Sequence, residues 1–321
     1  MNPRARAALA RTLRLAVAAG LTGYLLWKSH PRDVAAAAAG ADWRPIALAV
    51  LLVLVDRTLM AYRWIGLLCT IERPRLAALL RIFFVSTFVG TFLPASIGAD
   101  AVRAFSLSQL RVPAADAVSS VFLDRMLGIT SLLLMALVGL VVAGGLAGNW
   151  TILLALAAAA AACAATLLLI FSARAERILA SMLRRAPARP AAAGRQLLDA
   201  LRRYDAHHRA LVSVLALSVL VQLIRTIQAY FLGRGLGIDA PPSAYFAFIP
   251  IILLVMLLPV TFNGIGTSQA AFVWFFARAG VAAGPAFALS VLFVALGIVG
   301  NLPGGLLYAF GRRANGLTAS G

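Results

Sequence analysis

Eight ionisable residues lie within or beside long apolar stretches: Asp56, Arg57, Arg81, Asp100, Arg103, Asp124, Arg125 and Arg225. Insertion scales charge about 2.5–3.5 kcal/mol for such a group at the centre of a bilayer, so each demands a partner or water. These three acids and five bases can pair among themselves and still leave two positive charges over. Asp56 with Arg57 and Asp124 with Arg125 are expected to form structural or coupling ion pairs. A surplus of guanidinium in a cavity suits an anion, because the planar fork bonds phosphate bidentately and stays charged. Arg81, Arg103 and Arg225 are therefore the candidates for holding an anionic headgroup.

A second feature frames these residues. Leu93-Pro94-Ala95-Ser96-Ile97-Gly98 is echoed 165 residues later by Leu258-Pro259-Val260-Thr261-Phe262-Asn263-Gly264. Each combination of Pro, a small hydroxyl residue and Gly interrupts an apolar run and frees backbone groups to bond something else. Amides released at the start of a half-helix present a positive dipole end to an anion. Ser96, Gly98, Asp100 and Arg103 are placed for that role after the first break. Asn263, Gly264, Gly266, Thr267 and Gln269 correspond to them after the second, with neutral donors only. Gly and Ser/Thr also let transmembrane backbones approach closely, so tight packing is the competing reading.

The elements that must position these groups are membrane helices. The 321 residues are 62% hydrophobic and 12% charged, more apolar surface than a soluble core can hide. Long Leu/Ala/Val runs without alternation exclude a β-barrel. Full spans are predicted near 13–28, 44–69, 115–142, 150–172, 210–232 and 285–310, each close to the ~20 residues that cross a bilayer. Segments 77–110 and 243–280 read instead as re-entrant hairpins that enter the membrane and return on the same side. The N-terminus mimics a signal peptide, with Arg4 to Arg14 before an apolar run, but so many apolar segments follow that an uncleaved first span is expected.

Counting Arg and Lys tests that layout. With both termini inside, 18 basic residues fall on the cytoplasmic side against 5 outside, a strong positive-inside bias. The +18 net charge therefore describes topology and gives no reason to expect nucleic acid. Residues 1–172 form a first membrane half, 173–209 a basic cytoplasmic loop and 210–321 a second half, with the second repeat beginning near 150. Because each repeat crosses three times, the two are expected to be inverted, and a transporter site would lie between them. In the loop, an apolar run at 178–183 and Leu197, Leu198 and Leu201 alternate with Arg, which suits amphipathic helices on an anionic leaflet as well as an ordinary connector.

No hydrolase, kinase, metal or nucleotide motif is present, and no cofactor is expected. Cys69 and Cys163 lack a partner spacing for a disulfide or zinc site. The Asn301-Leu302-Pro303-Gly304-Gly305 run reads as a structural kink.

At these same residues the chain resembles a known family. Arg81, Ser86, Gly90, Pro94-Ala95-Ser96, Gly98, Asp100-Ala101 and Arg103, then Leu123-Asp124-Arg125 and Gly128, then Pro259, Thr261, Asn263-Gly264, Gly266-Thr267 and Gln269 are similar to the lysylphosphatidylglycerol synthase transmembrane (flippase-like) family. The resemblance implies a multi-pass protein of the bacterial inner membrane that moves a lipid between leaflets, with the bilayer and a membrane lipid as its partners. Aminoacyl transfer, carried by a separate soluble domain in bifunctional members, is not implied. Gln269 stands where many members have an acid, and Ala99 where many have Gly. The expected function is translocation of an anionic phospholipid or polyprenyl-linked lipid. The alternatives are a membrane-embedded lipid-modifying or glycosyl-transfer enzyme using Asp100 or Asp124 as base, and a non-transporting accessory to a separately encoded lipid-modifying enzyme.

Overall fold

The structure, a computed structural model, describes residues 39–93, 97–110, 112–142, 150–172, 188–258 and 266–316. The predicted first span at 13–28, the 178–183 run, Ser96, Asn263 and Gly264 lie outside the described residues. Every regular element among the described residues is helical.

Helix α1 (Trp43–Leu68) starts where the Asp42 carboxylate accepts the Arg44 amide at 3.0 Å, an Asp cap on a long apolar run. Helices α2 (Leu76–Thr91) and α3 (Ile97–Ser108) flank the first break. Helix α4 (Ala114–Val142) and α5 (Trp150–Phe171) follow. Helix α6 (Ala188–Arg202) runs through a 3₁₀ turn, Arg203–His207, into α7 (His208–Gly235). Helices α8 (Pro242–Leu257, with Pro at its first position) and α9 (Thr267–Ala277) flank the second break. The last helix, α10, runs from Ala283 to Gly316 with Pro303 inside it.

Among the described residues, four stretches are long and apolar enough to cross a bilayer: Trp43–Leu68, Ala114–Val142, Ala192–Gly235 and Ala283–Ala309. The surface supports a lipid setting. Leu51, Val55, Val138, Val141, Leu154 and Leu306 are exposed, while Asp56, Arg103, Asp124, Gln222 and Gln228 are buried. In water that distribution would be unfavourable; in hydrocarbon it is the stable one. The described residues are all-helical, as befits a polytopic membrane protein.

Packing across the bundle is reciprocal. Helices α1 and α7 lie along each other at its centre, α8 packs on α4, and α2 packs on α10. Likewise α3 meets α4 and α9 meets α10; α7 touches α4 and α1 touches α10. Two glycines allow the outer contacts. A Cβ on Gly139 of α4 would sit 2.1 Å from the Phe246 carbonyl oxygen of α8, and one on Gly304 of α10 would sit 1.9 Å from the Phe84 oxygen of α2. Only hydrogen fits at either place, so backbone meets backbone. Gly304 thus has the structural role expected of the Asn301–Gly305 run, although the helix continues through it.

The 173–209 segment departs from expectation where it is described. Residues 188–207 are helical, and the stripe that suited a leaflet surface as well as an ordinary connector is turned inward. Leu201 and Tyr204, with the half-buried Leu197 against them, pack with Leu67, Leu123, Leu127 and Val214. The wholly buried Asp116 of α4 explains the docking, because its carboxylate takes the Arg203 guanidinium and a buried carboxylate needs a cation.

Candidate functional site

The α1–α7 seam carries the polar residues. Ser218, Gln222, Arg225 and Gln228 recur every three or four positions along α7, which puts them on one face. That face meets Asp56, Met60 and Arg63 of α1. The helices run antiparallel: the Asp42 amide donates to the Gly235 oxygen at 2.8 Å, Arg225 Nε to Asp56 at 3.0 Å, and Arg63 to the Ser218 hydroxyl at 2.9 Å. From Gln228 to Ser218 the polar stripe advances ten residue steps, roughly 15 Å of a hydrocarbon core about 30 Å thick.

A cavity opens on each side of this seam. The first, about 200 Å³, lies among α1, α7, α8 and α10 and is walled by Asp56, Arg57, Arg225, Gln228 and Asn301. Arg57 donates to the Gly297 carbonyl at 3.1 Å, and Asp56 lies 3.6 Å from it. Gly300 makes the room, since a Cβ there would stand 2.8 Å from Arg57 Nε. Asn301 ties this wall to α2 by donating to the Thr91 hydroxyl at 2.8 Å.

The second cavity, about 220 Å³, lies among α1, α3, α4 and α7. Its floor is Asp124, which accepts Arg63 at both oxygens, 2.7 Å from Nε and 3.0 Å from the far nitrogen. Arg103 approaches the same carboxylate to 3.7 Å and lies over the rings of Trp64 and Phe83, at 5.1 and 4.7 Å from their centroids. Asp100 pairs with Arg125 at the cavity edge. Both cavities fall below the ~300–1,000 Å³ of pockets that engulf whole drug-sized ligands, a size that suits a headgroup whose acyl chains stay outside.

The sequence-adjacent pairing expected is met in part: Asp56 and Arg57 lie 3.6 Å apart, within ion-pair range. Asp124 bonds Arg63 and Arg103, Arg125 bonds Asp100, and the shorter contact of Asp56 is to Arg225. Successive residues on a helix point about 100° apart, so a neighbour in space on the next helix wins. Arg81 does not join the group: it is exposed on the outer surface of α2 and lines neither cavity. Arg63, which the sequence reading passed over, takes its place. The two cavities therefore still bring five arginines to three aspartates, leaving two positive charges.

The break residues serve mainly to build the hairpins. A Cβ on Gly98 would lie 2.4 Å from that of Leu93, and one on Gly90 2.3 Å from the Ala99 Cβ. Gly90 thus supplies the close approach that a Gly at 99 would otherwise give. Gly266 takes φ +90° and its amide donates to Gln269 Oε1 at 2.5 Å, with the Ser268 hydroxyl on the same oxygen at 2.9 Å. Gln269 caps its own helix, then, and Gly266, Thr267 and Gln269 line neither cavity, contrary to expectation. The reason is packing. Helix α9 is held by aromatic contacts through Phe272, Phe275 and Phe276, which turn its first turn into scaffold. From the second hairpin the cavities receive Leu253, Met256 and Leu257 of α8 instead.

The missed residues carried a legible signal. Arg63 follows Asp56 by two helical turns on one face, and the polar spacing on α7 marks Gln222 and Gln228 as Arg225's neighbours. Gln222 Oε1, Gln228 Nε2, Arg57 Nε and Arg103 Nε are all buried with no protein hydrogen-bond partner. Such atoms are costly to leave unmet, and here they cluster on the cavity walls.

No curated relative matches the chain. The sequence pattern described as Lysylphosphatidylglycerol synthase TM region matches residues 11–304. That match agrees with the helical bundle, the two broken segments and the clustered Asp100, Arg103, Asp124 and Arg125, and the chain belongs to that family of membrane proteins tied to lipid handling.

Proposed function

We propose that this protein is a lipid translocase that carries a phosphate-bearing, anionic lipid between the leaflets of a bacterial inner membrane, leaving the lipid covalently unchanged. The observation that carries this reading is the polar α1–α7 seam, with a headgroup-sized cavity on each side and two positive charges unbalanced between them. An acidic headgroup would supply the missing negative charge while its acyl chains remain in hydrocarbon.

The moving parts are two inverted halves. In one, α1, the α2–α3 hairpin and α4 are equivalent to α7, the α8–α9 hairpin and α10 in the other. Reciprocal packing supports this, since each contact among these eight helices, α8 on α4 against α2 on α10 for example, has a counterpart under that exchange. The close-contact glycines support it further: Gly139 and Gly304 are 165 residues apart, the same interval that separates the two Pro breaks. On this reading α2–α3 and α8–α9 are re-entrant, both termini are cytoplasmic, and rocking of one half on the other exposes the cavities in turn. Arg225 borders both cavities and is the group that exchanges partners during the change.

Proteoliposomes containing a fluorescent anionic lipid test the proposal. The purified protein should move probe between leaflets faster than empty vesicles, and Arg103→Ala should remove that activity without loss of folded protein. Wild-type rates from Arg103→Ala would take Arg103 out of the site. A mass change in the recovered lipid would replace translocation with enzymatic modification.

A further inference from the structure

Between the two cavities sits an unusual contact. Arg57 and Arg225, from different helices, both aim a terminal guanidinium nitrogen at the sulfur of Met60, at 3.4 and 2.8 Å. A thioether is a weak acceptor, and two cations converging on it are poorly satisfied compared with the same groups on oxygen. Asp56 is shared between them, 3.0 Å from Arg225 Nε and 3.6 Å from the same Arg57 nitrogen that faces the sulfur, so one carboxylate answers two guanidinium groups. The Nε of Arg57 has no protein partner at all. Met60 is also the flexible member of the group, with an unbranched side chain that can withdraw without disturbing α1.

We infer that the Met60 sulfur is a placeholder for an oxygen of a tetrahedral oxyanion, and that Arg57 and Arg225 form a phosphate-binding site at the junction of the two cavities, which the anion enters by displacing the thioether. The site lies on the α1–α7 seam, so an anion there is reachable from both sides, and Arg225 contacts it from either cavity. This rests on the proposed lipid function for the source of the phosphate, a headgroup phosphodiester. The recognition chemistry alone would equally take free phosphate or sulfate.

Two variants separate the sulfur from its surroundings. Met60→Leu keeps the volume and removes the acceptor, so an incoming anion no longer competes for the two guanidinium groups. Met60→Glu places a tethered carboxylate where the oxyanion would sit. In phosphatidylcholine nanodiscs, binding would be followed by native mass spectrometry with phosphatidylmethanol, whose headgroup is only a methylated phosphate, and separately with inorganic phosphate. Met60→Leu should bind phosphatidylmethanol about fivefold more tightly than the unaltered protein, the equivalent of one weak hydrogen bond relieved. Met60→Glu should abolish binding while retaining the native elution profile. Equal affinity in the unaltered protein and Met60→Leu, or undiminished binding by Met60→Glu, would overturn the placeholder site. Should inorganic phosphate bind with the same dependence on Met60 and phosphatidylmethanol not at all, the oxyanion site would stand and the lipid reading would fall.

Discussion

Replacing Asp124 should damage the bundle more than replacing the arginine that holds it. Asp124 receives Arg63 at 2.7 and 3.0 Å and Arg103 at 3.7 Å, with all three side chains nearly buried. Asp124→Leu strands two guanidinium groups, and breaking a buried pair by removing one partner costs about 3–5 kcal/mol. Arg63→Met leaves the carboxylate a second cation, Arg103, which needs to close less than an ångström, so the loss should fall at or below about 3 kcal/mol. The two changes made together should destabilise by less than their sum, with a coupling of about 1–3 kcal/mol, because the double variant no longer leaves Arg63 unpaired. Reversible unfolding in bicelles by steric trapping measures all three. Equal losses for the two single variants, with additivity in the double, would refute the shared-carboxylate arrangement.

Further outcomes follow from the close contacts. Gly139→Ala and Gly304→Ala each force a methyl against a carbonyl oxygen, so each should destabilise by about 1–3 kcal/mol or more, read by the same unfolding measurement. Gly300→Ala should displace Arg57 and weaken binding of an anionic lipid, with a smaller stability loss than Gly139→Ala or Gly304→Ala, since the atoms in its way belong to the Arg57 and Val53 side chains and not to backbone. Gln269→Leu should lower stability by about 1–2 kcal/mol through loss of the α9 cap, while leaving lipid affinity unchanged because Gln269 lines neither cavity.

Much of the architecture was readable because bilayer thickness fixes helix length. The predicted span at 44–69 is α1, 115–142 is α4, and the segments 77–110 and 243–280 are each two helices about a Pro/Gly break. The identity of the buried charges was less legible. Arg81 and Arg63 have the same side chain and similar apolar flanks. Only the facing helices distinguish them: Arg63 meets Asp124 and Ser218, whereas Arg81 points away from the bundle. The Gly-rich second break misled for a related reason. Gly266 and Gln269 are consistent in sequence with an open anion site and with a self-capped helix, and the aromatic packing that decides between them comes from residues remote in sequence. Likewise the α6 stripe suited a leaflet or a plain connector equally well in sequence, and only the buried Asp116 of α4, which takes Arg203, shows it docked on the bundle.

The central claim is that a lipid headgroup travels along the α1–α7 seam. A photoreactive side chain placed at Gln222, at Gln228, or at the exposed Leu220 of the same helix would capture adjacent lipid in native membranes. Capture at 222 and 228 should be enriched in acidic phospholipid over bulk composition, while capture at 220 should mirror the bulk. Bulk composition at all three positions would contradict the account.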